Sequence, residues 1–129
     1  MVYLSIVLEA VLLENEKHYP WLFLVPRRVN VSRMMDLEEK DQMQLMRELN
    51  VAQKILWDQF SPDQINVAAI GNKTSQLHIH VIGRFFKDPA WPQTVWDHPV
   101  KEPYGEEEKQ SITTLLVKEF EKGGCFERR

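Results

Sequence analysis

An apolar run enclosed by two prolines sets the strongest requirement on the fold. Residues 21–25 read Trp-Leu-Phe-Leu-Val between Pro20 and Pro26. A continuous apolar run of this length predicts a strand that is covered on both faces, in the middle of a sheet. The stretch 4–13 is rich in Ile, Val and Leu, and a short polar connection at 14–17 separates it from the run. We therefore expect the two stretches to pair as a hairpin.

Two helices are predicted beyond this hairpin. The first begins at Asp36, which with Glu39 three residues later matches the acidic form of a capping box. Apolar residues then recur at spacings of three and four, the mark of one apolar helical face; they are Leu45, Leu49, Ala52, Leu56 and Phe60. Ser61-Pro62-Asp63 ends this helix. The second helix is expected over 106–121, stopped by the glycines at 123–124.

The remaining segments complete an α+β pattern. Strands are predicted over 65–70 and 77–82, separated by Gly71-Asn72-Lys73. After Phe86 come four prolines and two tryptophans, Trp91 and Trp96, which predicts a stiff irregular segment. This order of elements favours an antiparallel sheet with its helices on one side. At 129 residues and 15.3 kDa, with no internal linker, the chain 1–129 is expected to be a single domain.

Composition excludes several classes of function. Lys and Arg number 16 against 19 Asp and Glu, so the net charge is −3. The sequence has no polybasic run that could bind the phosphates of a nucleic acid polymer. The single cysteine, Cys125, excludes an intramolecular disulfide and suits a reducing compartment. No stretch approaches the roughly 18 apolar residues of a membrane helix. The apolar start carries Glu9 and indicates a strand rather than a signal peptide. We expect a cytoplasmic protein without a membrane partner.

The stretch 76–84 is the candidate site. If it is a strand, Leu77, Ile79 and Val81 share one face. The opposite face carries two imidazoles, an amide and a guanidinium. These groups belong to His78, His80, Gln76 and Arg84, and the apolar Ile82 lies on the same face. Three interpretations stay open on these residues alone. They are a solvent face, a metal site with His98 or Cys125 as third ligand, and a nucleophilic histidine.

The same stretch resembles the signature of the histidine triad (HIT) family, His-x-His-x-His-x-x with apolar residues between the histidines. Here Gln76 takes the first position, and His78 and His80 take the other two. Gly71-Asn72 resembles the Gly-Gln pair of the family's ligand loop, and residues 24–27 resemble the end of its Val-Ile-Pro-Lys strand. The starts of the long helix at 36–37 and of the next strand at 65–67 fall in the family's order, so the resemblance runs from about Val7 to Arg84. Residues 88–92, with 95–96, resemble a bacterial branch similar to diadenosine-polyphosphate hydrolases.

The resemblance implies a HIT-like α+β fold, with a sheet of about five antiparallel strands, one long helix and a C-terminal helix. It also implies attack on the α-phosphate of a purine nucleotide or dinucleoside polyphosphate, through a nucleotidyl-histidine. His78 matches the family's nucleophile, and the backbone carbonyl of Gln76 would hold the proton of its other ring nitrogen. His80 matches the histidine that contacts the phosphate and the scissile region.

Three further residues are predicted to bind substrate. Asn72 occupies the ligand loop, Asn66 comes from a strand that could line a ribose pocket, and Arg84 shares the polar face of His78. The resemblance also implies a homodimer, and neither a cofactor nor a metal ligand is expected.

Departures from the family pattern bear mainly on the substrate. Gln76 replaces a histidine, Gly83 replaces the usual proline, and residues 19–21 read Tyr-Pro-Trp where Gly-His is common. Because an amide still forms hydrogen bonds, we interpret Gln76 as a change of rate or specificity. The alternative is a nucleotide-binding module with little turnover. Trp91 and Trp96 could stack on a base or pack across a subunit boundary, and we favour packing.

Overall fold

The structure is a computed structural model that describes residues 3–6, 9–98, 101–122 and 126–127. Cys125 and the two glycines predicted to stop the second helix lie outside these residues. Within the described chain, six strands form one antiparallel sheet in the order β4-β5-β3-β2-β1-β6. The strands are β1 (Tyr3–Ile6), β2 (Glu9–Leu13), β3 (Trp21–Pro26), β4 (Gln64–Ala69), β5 (Ile79–Arg84) and β6 (Phe126–Glu127). The helices are α1 (Glu39–Phe60) and α2 (Glu106–Lys122). No helix among these residues is long and apolar enough to cross a membrane.

The sheet has one strand more than the five expected. Four stretches are predicted as strands; the stretch 4–13 folds back into β1 and β2, which gives five, and β6 adds the sixth. β1 and β2 pair antiparallel, with Ser5 opposite Ala10. β3, the next strand along the chain, has only six residues. A straight strand over all ten residues 4–13 would extend well beyond such a partner, since a strand rises by about 3.3 Å per residue. Folding back lets the first stretch keep its pairing within the sheet. The predicted hairpin is confirmed between β2 and β3, which pair from Glu9↔Pro26 to Leu13↔Leu22.

β3 lies inside the sheet and is covered on both faces, as the apolar run predicts. Leu22 and Leu24 face the helices and belong to a core that includes Leu49, Leu56 and Phe120. Trp21 faces the other way, in a second cluster of Tyr19, Ile82, Ala90 and Val95. Both helices therefore pack on one face, and the irregular segment after β5 covers the opposite face. The α+β class is confirmed.

The long helix begins later than predicted. Asp36 does not cap α1, because it ends a short 3₁₀ turn over Met34–Asp36. Its carboxylate accepts hydrogen bonds from the backbone N–H groups of Ser32 and Arg33, at 3.2 and 3.0 Å. This local capping leaves Glu38 as the first flanking residue of the helix. The predicted end is confirmed, since Ser61 adopts a left-handed conformation with φ of 49°.

β5 also begins later than the apolar pattern suggests. The N–H of Leu77 donates to the carbonyl of Val31 at 2.8 Å, so this residue is not part of the hydrogen-bonded pairing between β5 and β3. The pairing of β5 with β3 starts only at Leu24↔Ile79. His78 therefore lies just before the strand and His80 lies within it. The predicted faces hold, because Ile79 and Val81 join the helix-side core.

Candidate active site

His78 is held by the backbone two residues before it. Its Nδ1 lies 2.8 Å from the carbonyl oxygen of Gln76, the contact that the resemblance implies. A carbonyl oxygen can only accept a hydrogen bond, so in the neutral ring Nδ1 carries the proton and Nε2 keeps its lone pair. The ring is half-buried. His78 can thus present an unprotonated nitrogen to a ligand.

His80 sits in a more enclosed and aromatic environment. It is 6% exposed, and its Nδ1 accepts a hydrogen bond of 3.0 Å from Nε1 of Trp21. The rings of Phe23 and Trp96 lie at centroid distances of 4.7 and 4.9 Å. Burial, with smaller contributions from His78 and Lys101, lowers the pKa of His80 from 6.5 to about 4. At neutral pH this ring is uncharged, and the interpretation of 76–84 as a solvent face is wrong for His80.

A cavity of about 460 Å³ opens beside His78. This volume is in the range of small-molecule sites. Its walls come from the loop after β3, the end of β4 and the segment that leads into β5; they are formed by Ser32, Arg33, Met34, residues 69–72 and residues 75–78. Asn72, Gln76 and His78 are therefore brought to one cavity, whereas His80 is not among the residues that line it.

The side chain of Gln76 has a structural contact of its own. Its Nε2 donates to the carbonyl of Pro26 at 3.2 Å, which joins the approach to β5 to the end of β3. The amide therefore replaces some of the strand pairing that this part of the chain lacks. Gln76 contributes two separate contacts, one through its side chain and one through its carbonyl to His78.

Arg84 and Asn66 lie together, but they do not line this cavity. Arg84 is 2% exposed, and its guanidinium binds both carboxylate oxygens of Asp88 at 2.8 and 3.1 Å. It also donates to Oδ1 of Asn66 and to the carbonyl of Gln93, both at 2.8 Å. These contacts hold the irregular segment to the sheet. The substrate contact predicted for Arg84 and Asn66 therefore has no support from this geometry.

Sequence reasoning missed several residues around the histidines. Trp21 and Phe23 come from β3, whose register places Phe23 opposite His80. Trp96 packs against His80 within the same chain, a contact that was not predicted, and it remains 43% exposed. Arg33 brings a cation to the cavity. The alternation of residues 21–25 could have identified Trp21 and Phe23 once the register with β5 was known, whereas no local pattern marks Arg33.

The metal-site interpretation gains no support from the described residues. Nowhere among them do three His, Cys, Asp or Glu side chains gather to hold a metal ion. His98 packs against His18 at a centroid distance of 6.5 Å. His18 in turn is bonded to Glu16 at 3.0 Å. Cys125, the other suggested third ligand, lies outside the described part of the chain.

Comparisons with known proteins show the family and the fold of this chain. A model of the HIT domain matches residues 7–87. A solved histidine triad protein from Bradyrhizobium japonicum is 35% identical, with a TM-score of 0.84 and 90% of each chain covered. Another, from Sinorhizobium meliloti, is 36% identical, with a TM-score of 0.83, 87% of this chain and 83% of that chain covered. A third, from Marinobacter aquaeolei, is 37% identical, with a TM-score of 0.87, 91% of this chain and 85% of that chain covered. The comparison with curated proteins gave no match. Because the family model spans more than half of the sequence and the three structures share its fold, this chain belongs to the histidine triad (HIT) family.

Proposed function

We propose that this protein is a nucleotide hydrolase or transferase that uses His78 as its nucleophile. HIT proteins generally bind nucleotides and act as hydrolases or transferases. The single observation that carries the proposal is the 2.8 Å contact between Nδ1 of His78 and the carbonyl of Gln76. It leaves the lone pair of Nε2 available beside a cavity of ligand size.

The proposed reaction has two displacements. Nε2 of His78 forms a bond to the α-phosphorus, and the bond from that phosphorus to the bridging oxygen or nitrogen of the leaving group breaks. The leaving group departs with the electron pair and takes up a proton. Water then attacks the nucleotidyl-histidine, which releases a nucleoside monophosphate and a proton and restores His78. The carbonyl of Gln76 stabilises the positive ring in between, because it accepts the Nδ1 proton throughout.

The proposed substrates are purine nucleotides, and among them dinucleoside polyphosphates. The likeness of residues 88–96 to the diadenosine-polyphosphate-hydrolase-like branch supports the second class. In the cavity, Asn72 offers hydrogen bonds to the ligand and Arg33 offers positive charge near phosphate. We further propose that the protein is a cytoplasmic homodimer; the single cysteine in the sequence suits a reducing compartment.

A binding module with little turnover is the second candidate. It is favoured by the side chain of Gln76, which cannot supply the charge or the proton of a histidine and is bonded to Pro26. Such a module would bind nucleoside monophosphates through the same cavity. A nucleotide at 100 times its Kd would then stabilise the folded state by about 2.7 kcal/mol. The melting temperature would rise accordingly, without product formation.

Turnover with trapping of the intermediate separates the two candidates. The purified protein is assayed on diadenosine tetraphosphate and on an adenosine phosphoramidate, and acid-labile adducts are mapped by mass spectrometry. We expect turnover, an adduct on His78, and a loss of roughly 10³-fold or more in His78→Asn. His98→Asn is the matched control and should keep full activity. An adduct on His80, or full activity of His78→Asn, would overturn the assignment. Nucleotide-dependent stabilisation without turnover would favour the binding module.

A further inference from the structure

Trp21 makes the one side-chain hydrogen bond that the structure describes to the ring of His80. The bond joins residues 59 positions apart and runs from Nε1 of Trp21 to Nδ1 of His80, at 3.0 Å. An indole N–H is a donor without any acceptor capacity. Nδ1 of His80 must therefore present a lone pair, and a neutral ring must carry its proton on Nε2.

Trp21 is itself held firmly. It is 3% exposed, and it packs edge-to-face against Trp96 and Tyr19 at 5.8 and 6.4 Å. The ammonium of Lys101 lies 5.5 Å from the centre of its ring. An indole enclosed in this way has little freedom to turn its N–H elsewhere, so the bond restrains the orientation of His80 as well as its tautomer.

We propose that Trp21 is a positioning residue that keeps His80 as a neutral hydrogen-bond donor through Nε2. His78 and His80 then have opposite tautomers. His78 keeps its proton on Nδ1 and presents a lone pair, whereas His80 keeps its proton on Nε2 and donates. The two ring centres lie 5.1 Å apart, and such a pair suits a phosphate, because a ring with a lone pair can attack phosphorus and a ring with an N–H can donate to a phosphoryl or leaving-group oxygen.

The surroundings of His80 favour the neutral ring. His78, on the same face, and Lys101, in the segment before α2, are the titratable groups that act on it, and both disfavour a second positive charge. Its other neighbours are uncharged: Trp21 and Phe23 from β3, Ala68 opposite it on β4, and Trp96. Protonation of Nδ1 would also set two N–H groups against each other. These effects agree with a His80 pKa of about 4.

Nuclear magnetic resonance on the full chain tests the tautomer without any assumption about activity. Long-range ¹H–¹⁵N spectra distinguish the two ring nitrogens, and with four histidines in the sequence the assignment is tractable. We expect His80 protonated on Nε2, His78 protonated on Nδ1, and a ¹⁵N–¹⁵N coupling across the bond from Trp21 to His80. A His80 ring protonated on Nδ1 in the wild-type protein would overturn the proposal, and this reading needs no variant to fold.

Trp21→Phe removes the donor and keeps an aromatic ring, and Trp96→Phe is the matched control on the other side of His80. In Trp21→Phe we expect His80 to populate both tautomers and to titrate at a higher pH than in the wild type, because no N–H then opposes a proton on Nδ1, while burial still keeps its pKa below 6.5. In Trp96→Phe the Nε2 proton should remain. An unchanged His80 tautomer and titration in a folded Trp21→Phe would contradict the role of Trp21.

The catalytic consequence rests on the proposed function. Trp21→Phe should lower kcat about tenfold with a smaller effect on KM, because a neutral hydrogen bond contributes on the order of 1 kcal/mol. If the wild-type protein shows no turnover, the proposed hydrolase function fails while the tautomer measurement still decides the role of Trp21. If turnover is present and the tautomer is as expected, an unchanged kcat in Trp21→Phe would show that Trp21 does not contribute to catalysis.

Discussion

At the scale of single residues, two histidines of one strand face have different chemistry because their neighbours differ. His78 precedes β5, where its ring contacts a backbone carbonyl. His80 lies within the sheet, where the indole of Trp21 reaches it from the adjacent strand. The pKa of His80 is lowered to about 4, mainly by burial. A spacing of two residues is thus enough to give the two rings different partners and different burial.

Gln76 should be replaceable without loss of the reaction. Its contact to His78 uses the backbone carbonyl, which Gln76→Ala retains. We expect most of the turnover to remain and the free energy of unfolding to fall by about 1 kcal/mol, because the half-buried bond to Pro26 is lost. Gln76→His should keep or raise the turnover. Steady-state kinetics and urea unfolding measure both effects, and a loss in Gln76→Ala as large as that in His78→Asn would contradict this account.

Gly83 is required by the close approach of Pro20. A Cβ atom at position 83 would lie 2.7 Å from Cγ of Pro20, and a proline ring cannot swing aside. Gly83→Ala should therefore cost about 1–3 kcal/mol in urea unfolding. Gly71→Ala is the matched control, because the nearest atom to its added Cβ would be 3.8 Å away. Equal stability losses in the two variants would show that the contact with Pro20 is not the cause.

At the scale of elements, the irregular segment after β5 is held to the sheet by Asp88. Its carboxylate binds Arg84 at 2.8 and 3.1 Å and accepts from the backbone N–H groups of Phe85, Ala90 and Trp91. The prolines and tryptophans that predict irregular structure thus form an ordered cover over the second face. This cover brings Trp96 to His80.

Asp88→Asn should destabilise the protein by about 3 kcal/mol, since it leaves the buried charge of Arg84 without its partner. Asp97→Asn is the control, because Asp97 caps a short turn at the surface and should cost about 1 kcal/mol or less. Thermal or urea unfolding measures both losses. A loss in Asp88→Asn no larger than that in Asp97→Asn would mean that the ion pair does not hold the segment.

The same variant carries a pH dependence. Burial alone would raise the pKa of Asp88, but the hydrogen bonds from Arg84 and from the Phe85 and Trp91 amides lower it below 3.8. A carboxylate with a lowered pKa stabilises the folded state above its unfolded value, and this contribution is lost as the pH falls through the folded pKa. The difference in stability between wild type and Asp88→Asn should therefore be constant at neutral pH and shrink below pH 3.8. A difference that does not shrink in acid would contradict this.

At the scale of the whole molecule, α1 carries an apolar row that the monomer leaves uncovered. Met43, Met46 and Trp57 are 57, 56 and 52% exposed, and they lie within roughly 60° around the helix axis. β4, the neighbouring edge strand, adds Val67 at 43% exposure. These residues offer a surface on which the proposed homodimer could form.

Trp57→Glu with Met46→Glu should shift the protein from dimer to monomer at micromolar concentration, because two charges would be buried at the proposed contact. Sedimentation velocity measures this shift. Val29→Glu is the matched control, since Val29 is apolar and 86% exposed but lies outside α1. A wild-type protein that sediments as a monomer would contradict the proposed homodimer. An unchanged dimer in the double variant would show that the subunit contact is not formed by this surface of α1.

Much of the fold could be predicted from local sequence. The strand at 21–25, the end of α1 at Ser61 and the helix over 106–121 all follow from patterns within one or two turns or a few strand residues. The opposite faces of the 76–84 stretch follow from alternation alone, and the resemblance to the HIT family extended over nearly the residues that the family model matches. These features depend on residues close together in the sequence, because the allowed backbone dihedral angles fix how such residues are placed relative to one another.

The partners of each side chain were decided by tertiary structure. The bond between Trp21 and His80 depends on the register of β3 against β5, and the placement of Arg84 away from the cavity depends on its contacts with Asn66 of β4 and with Gln93 of the segment after β5. Such contacts join residues distant in sequence, and their energies come from packing and burial that no local pattern encodes. The sequence by itself therefore determined which residues share a face, and the packed sheet decided which of them line the cavity and which group each ring nitrogen contacts.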